Sequence, residues 1–70
     1  MKYAEFYKEI GQSIHTKRKK FRLSQKQLAI KCGIDRAKIS DIENGKEDFM
    51  FSTLLQICEA LDLDIELRHK

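Results

Sequence analysis

The 70-residue sequence has no proline, no tryptophan, three glycines and two cysteines. A chain this short excludes a multidomain protein and most enzymes that need a deep cleft. With no proline to interrupt a helix, that task falls to capping residues and glycines. No apolar run approaches the roughly 18 residues of a membrane span. The opening residues, Met1 to Phe6, lack the apolar centre of a signal peptide. A cytoplasmic placement is therefore expected, in which Cys32 and Cys58 are reduced thiols. Together with His15 and His69 they show none of the C-x-x-C or H-x-x-x-H spacings of a zinc site. Neither histidine lies in a nucleophile or acid/base motif, so no catalytic residue, metal or cofactor is expected. Internal repeats and low-complexity segments are absent as well.

What is present is 41% hydrophobic and 36% charged residues, with apolar side chains at helical spacing throughout. A domain of this size buries only about 60% of the surface of its unfolded chain, so the core must be lean, and a partner chain is one way to extend it. The charge is sharply divided. From Lys17 to Lys46, ten basic residues are opposed only by Asp35, Asp41 and Glu43, a net +7. From Glu47 to Leu67 there are six acids and no base. Such segregation draws a polyanion to one part of the surface.

Tyr3, Phe6, Tyr7, Ile10 and Ile14 make one amphipathic stripe and predict a helix over Tyr3 to Lys20. Gly11 within it points to a bend or to close packing. Ser24 and Gln27 have the spacing of a capping box, with Leu23 and Leu28 as its hydrophobic staple. The helix they open has Leu28, Ala29 and Cys32 inside and stops at Gly33. Asp35 is the expected cap of a third helix, stapled by Ile34 and Ile39 and ended by Gly45. Helix, short glycine-containing turn and helix make the helix-turn-helix plan. With Ile39 and Ile42 inward, Arg36, Ala37, Ser40, Asp41 and Asn44 fall on the opposite side. That face is short and polar, suited to lie flat in a groove. Ser52 is expected to cap a fourth helix that buries Leu54, Ile57, Cys58 and Leu61 and ends near Asp62. Leu63 to Arg68 then alternates apolar and charged residues, the pattern of a half-buried strand. A lone strand needs a partner, most simply the same strand of a second copy. The expected fold is therefore all-α, a small bundle of four or five helices with a short C-terminal β-strand. Residues 1–62 form the domain and 63–70 the pairing strand, with Leu63, Ile65 and Leu67 on its apolar side.

The stretch from Leu23 to Gly45 closely resembles the helix-turn-helix of the phage Cro and repressor (XRE) family. It carries Leu23-Ser24-Gln25, Leu28-Ala29, Gly33-Ile34 and Ile39-Ser40-Asp41-Ile42-Glu43-Asn44-Gly45 at the family spacings. The resemblance implies a lambda-repressor-like fold whose second motif helix enters the DNA major groove. Arg36 is then placed for bidentate contact with a guanine and Ala37 for a thymine methyl. Ser40 and Asp41 occupy the remaining groove-facing positions. Asp41 departs from the Arg or Gln common there, and two roles are open to it: accepting from a cytosine amino group, or orienting Arg36. Gln25 matches a family glutamine that braces a phosphate at the helix N-terminus. Lys26, Lys38, Asn44 and Lys46 are expected on the DNA backbone, joined by one or more of Lys17, Lys19 and Lys20. Arg18 and Glu43 match a family ion pair and are read as scaffold.

The tail resembles the C-terminal strand of HipB-like antitoxins, which implies a homodimer that represses its own operon and binds a HipA-type kinase toxin. A stand-alone or phage-type regulator and a protein-interaction module that no longer binds DNA are the alternatives. Phe49, Met50 and Phe51 form an apolar cluster expected to cap the core or a dimer seam, or else to bind a partner.

Overall fold

Each helix boundary has a local cause. In the computed structural model, residues 3–46 and 49–67 are described, and they form α1 (Ala4–Lys20), α2 (Gln25–Cys32), α3 (Arg36–Glu43) and α4 (Phe51–Ala60). The start of α2 follows the expected capping box: the Gln27 amide donates to Ser24 Oγ at 3.0 Å, and the Ser24 amide donates to Gln27 Oε1 at 2.8 Å. Two other starts differ from expectation. Asp35 takes the extended backbone of a cap but no side-chain cap bond forms, and its carbonyl accepts the Ile39 amide at 3.1 Å. Ser52 is not the cap of α4. The Met50 carbonyl takes the amides of Thr53 and Leu54 at 3.0 and 3.2 Å, so the helix begins at Phe51 with Ser52 inside its first turn.

All four helices leave through a residue of positive φ: Arg22 at 58°, Gly33 at 70°, Gly45 at 76° and Asp62 at 55°. The next amide reaches back each time, Leu23 to Arg18 at 3.1 Å, Ile34 to Ala29 at 3.0 Å, Lys46 to Asp41 at 3.0 Å and Leu63 to Cys58 at 2.8 Å. These bonds satisfy carbonyls that a helix end otherwise leaves open.

The core takes Ile14 from α1, Leu28 and Ala29 from α2, Ile39 and Ile42 from α3, and Leu54, Ile57, Cys58 and Leu61 from α4 and its exit. α1 packs on α3, and α2 on both α3 and α4. Gly11 is where α1 meets the end of α3: a Cβ there would fall on the Ile42 carbonyl oxygen and 2.8 Å from that of Glu43. The expected α1 stripe is buried only in its second half. Ile14 is enclosed and Tyr7 and Ile10 are half-buried, whereas Tyr3 and Phe6 are 55% and 57% exposed. With Phe51, Ile65 and Leu67 they line an open groove of about 460 Å³. Phe49 packs edge-on against Tyr7, with ring centres 5.4 Å apart, while Met50 and Phe51 stand exposed. The expected apolar cluster is thus split, with one residue capping the core and two outside it.

No strand forms over residues 63–67. An extended segment becomes a strand only through a hydrogen-bonded neighbour, and the single chain offers Leu63, Ile65 and Leu67 none. Arg68 at the end of that pattern, His69, the acidic pair Glu47–Asp48, and Met1 and Lys2 lie outside the described residues. Among the described residues no helix is long and apolar enough to cross a membrane.

Candidate nucleic-acid interface

Burial of Ile39 and Ile42 fixes the rotation of α3. Arg36, Ala37, Lys38, Asp41 and Asn44 are consequently exposed and Ser40 is half-buried. Arg36 opens the helix, and among the described residues no hydrogen bond or ion pair holds its guanidinium. Its five donors are therefore uncommitted. Asp41 does not orient it: the Asp41 carboxylate lies 3.4 Å from Lys46 Nζ, with both side chains exposed. Helical spacing of five residues plus the turn at Gly45 carries Lys46 back over Asp41 and away from the helix start. The Asn44 amide donates to Ser40 Oγ at 3.5 Å, a weak link one turn apart.

Behind this face sits a polar hub centred on Glu43. Arg18 grips the carboxylate with two bonds, Nε to Oε2 at 2.7 Å and Nη2 to Oε1 at 2.9 Å. Its remaining nitrogen, Nη1, donates to the Leu23 carbonyl at 2.6 Å. Both charged side chains are at most 5% exposed. His15 Nδ1 lies 2.8 Å from Glu43 Oε1, and the Gln25 Nε2 amide donates to the same oxygen at 3.2 Å. One carboxylate thus joins α1, α2 and α3. Burial pushes the Glu43 carboxyl up, but hydrogen bonds from Arg18, His15 and Gln25, with the Arg18 charge, outweigh it and hold it below the usual carboxylate range. The same pairing with Glu43 raises Arg18 despite its burial.

Gln25 is therefore committed on one N–H to Glu43. The phosphate-bracing role implied for it has only the second N–H at its disposal. His15 was not among the expected site residues. Its signal was its position one turn before Arg18, on the same helix face.

The basic residues outside α3 divide into two groups. Lys26 is exposed beside Gln25 in the first turn of α2. Lys17 Nζ instead lies 5.3 Å from the centre of the Phe21 ring, with Lys31 Nζ 5.7 Å from it, a pair of cation–π contacts at the α1–α2 turn. Lys19 and Lys20 are exposed at the end of α1. No hydrogen bond or ion pair joins these three α1 lysines to α3 among the described residues. Burial pushes both thiols up, and the Asp64 charge adds to the effect at Cys58. The Cys32 thiol donates to the Leu28 carbonyl at 3.0 Å. Among the described residues no three His, Cys, Asp or Glu side chains are placed to share a metal ion.

A helix-turn-helix family model matches residues 14–67, from the middle of α1 to the tail. The chain belongs to this family, of the Cro/repressor (XRE) type. It is 37% identical over 60 residues to the ImmF control region 10 kDa protein of Bacillus phage phi105, covering 86% of this chain and 67% of that protein. It is 33% identical over 61 residues to an uncharacterized HTH-type transcriptional regulator of Sinorhizobium fredii, covering 87% of this chain but spanning only 31% of the relative. Among solved structures it is similar to the restriction-modification controller protein C.AhdI from Aeromonas hydrophila. The TM-score is 0.82 at 26% identity, over 91% of this chain and 93% of the controller. As an XRE-type helix-turn-helix protein, the chain is a DNA-binding transcriptional regulator.

Proposed function

We propose that this XRE-family chain represses transcription as a homodimer on a pseudo-palindromic operator. The observation that carries the reading is the outer face of α3, exposed at Arg36, Ala37, Asp41 and Asn44 and opened by an arginine with no hydrogen bond or ion pair among the described residues. In this reading Arg36 reads a guanine edge, Ala37 meets a thymine methyl, and Ser40 and Asp41 complete the groove-facing set. Gln25, Lys26, Lys38, Asn44 and Lys46 hold the phosphates, and Lys19 and Lys20 add charge at the flank. Lys17 contributes from its seat on Phe21. Residues 63–70 pair the two copies, and the exposed Tyr3, Phe6 and Phe51 beside the tail supply apolar area for the seam. Two recognition helices then address half-sites about 34 Å apart, one turn of DNA.

The deciding experiment measures binding to the DNA upstream of the chain's own gene across a salt series, with a scrambled duplex as control. Specific binding of two chains per site, with log K falling about 0.9 per phosphate contact per unit of log salt, is the expected result. Equal binding to both duplexes would remove the operator reading.

Two biological roles fit such a repressor. The likeness to a phage control-region protein and to a restriction-modification controller supports a stand-alone control protein. The resemblance of the tail to the C-terminal strand of HipB-like antitoxins supports an antitoxin of a HipA-type kinase. Copurification with the product of an adjoining kinase gene is expected for the antitoxin, and operator binding without such a neighbour for the stand-alone regulator.

A further inference from the structure

The bond between Gln25 and Glu43 crosses from the DNA-facing start of α2 to the buried end of α3. A carboxylate accepts hydrogen bonds and donates none, and Glu43 is held ionised by Arg18 and His15. It therefore selects the amide end of the Gln25 side chain. With Nε2 at 3.2 Å the carboxamide donates to Glu43, whereas the same side chain with its amide flipped would set oxygen against oxygen. Glu43 itself cannot swing, because Arg18 grips both its oxygens and is in turn tied to the Leu23 carbonyl at 2.6 Å.

We propose that Glu43 is a positioning residue for DNA contact: it fixes the Gln25 carboxamide so that a single N–H and the carbonyl oxygen remain for the nucleic acid. The inference rests on the reading of the α2–α3 face as the DNA surface. A phosphate offers acceptors only, so Gln25 meets it with one bond, delivered in a preset direction. A side chain already immobilised loses less freedom on binding than a free one. The buried ion pair, which touches no DNA, thereby contributes to affinity through Gln25. Arg18 and His15 are the further charged or titratable groups facing Glu43, both from α1.

The test combines a spectroscopic and a binding readout on the full chain. In nitrogen–proton correlation spectra, the Gln25 side-chain amide is assigned by its disappearance in Gln25→Met. One of its protons is expected to exchange slowly with solvent and to shift as Glu43 is protonated in acid. In operator binding, Gln25→Met is expected to lose about ten-fold, the range of one hydrogen bond to a charged acceptor. Glu43→Gln is expected to lose affinity in the parent and to change it less than about two-fold in the Gln25→Met background, as coupled residues do. Losses that multiply in the double variant, or an amide that exchanges like a solvated glutamine, would overturn the proposal. If Glu43→Gln does not fold, the acid titration of the Gln25 amide decides. Failure of the parent chain to prefer its operator refutes the DNA reading and the proposal with it, and a protected Gln25 amide in that case identifies the hub as structural.

Discussion

Glu43 shows how one residue couples stability to pH in this chain. Its carboxyl sits below its ordinary value in the folded state, because the bonds from Arg18, His15 and Gln25 outweigh the burial that opposes them. A group lowered on folding contributes stability above its unfolded value, near pH 4.3 for glutamate, and loses it as pH falls through the folded value. Urea unfolding is therefore expected to give a flat midpoint down to about pH 5 and a falling one below it. A midpoint unchanged between neutral pH and pH 3 would show that the buried pair adds nothing net. Arg36 makes a separate residue-scale case, since among the described residues no hydrogen bond or ion pair holds its guanidinium. Arg36→Ala is expected to leave unfolding unchanged and to cost about 1–3 kcal/mol on the operator, with one base preference relaxed. Unaltered affinity and base profile would remove it from the reading set.

At the scale of elements, helix ends and one helix crossing carry the strain. Arg22 holds the left-handed position at the end of α1, φ 58°, with a side chain that pays a steric penalty glycine avoids. Arg22→Gly is expected to raise stability by about 0.5–1 kcal/mol, the relief of strain less the added freedom of the unfolded chain. A lower melting temperature in that variant would show that the Arg22 side chain makes a stabilising contact of its own. Gly11 works in the opposite sense. Alanine there improves helix propensity by about 1 kcal/mol, yet its methyl meets the rigid backbone carbonyls of Ile42 and Glu43. The overpacking dominates, and Gly11→Ala is expected to destabilise by about 1–2 kcal/mol in chemical denaturation.

For the molecule as a whole, the question is what covers its exposed apolar face. Tyr3, Phe6 and Phe51 are all more than half exposed, and Leu67 is 96% exposed. Together with Ile65 they line one open groove, a contiguous apolar surface of the kind that marks an interaction site. In the dimer proposed above, a second copy covers it. Deleting Leu63 to Lys70 is expected to weaken self-association and lower stability together, measured by sedimentation and thermal unfolding of the same samples. A truncated chain that still sediments as a dimer would locate the seam elsewhere.

The sequence by itself determined the local features, because they depend on residues a few positions apart. The Ser24–Gln27 capping box, the stops at Gly33 and Gly45, and the inward faces of α3 and α4 follow from spacing and propensity alone. The Arg18–Glu43 pair was legible only through the family motif. Features that depend on how helices meet were decided by the tertiary structure. Spacing makes Tyr3 and Phe6 equivalent to Ile14, but α1 meets the end of α3 at Gly11, and Tyr3 and Phe6, a turn or more before that crossing, stay more than half exposed. The start of α4 moved to Phe51 because the Met50 carbonyl, rather than the Ser52 hydroxyl, took the first amides. Asp41 was drawn to Lys46 by the turn at Gly45. His15 and Gln25 joined Glu43 because three helices converge on one carboxylate, a juxtaposition across 28 and 18 residues that no local pattern encodes.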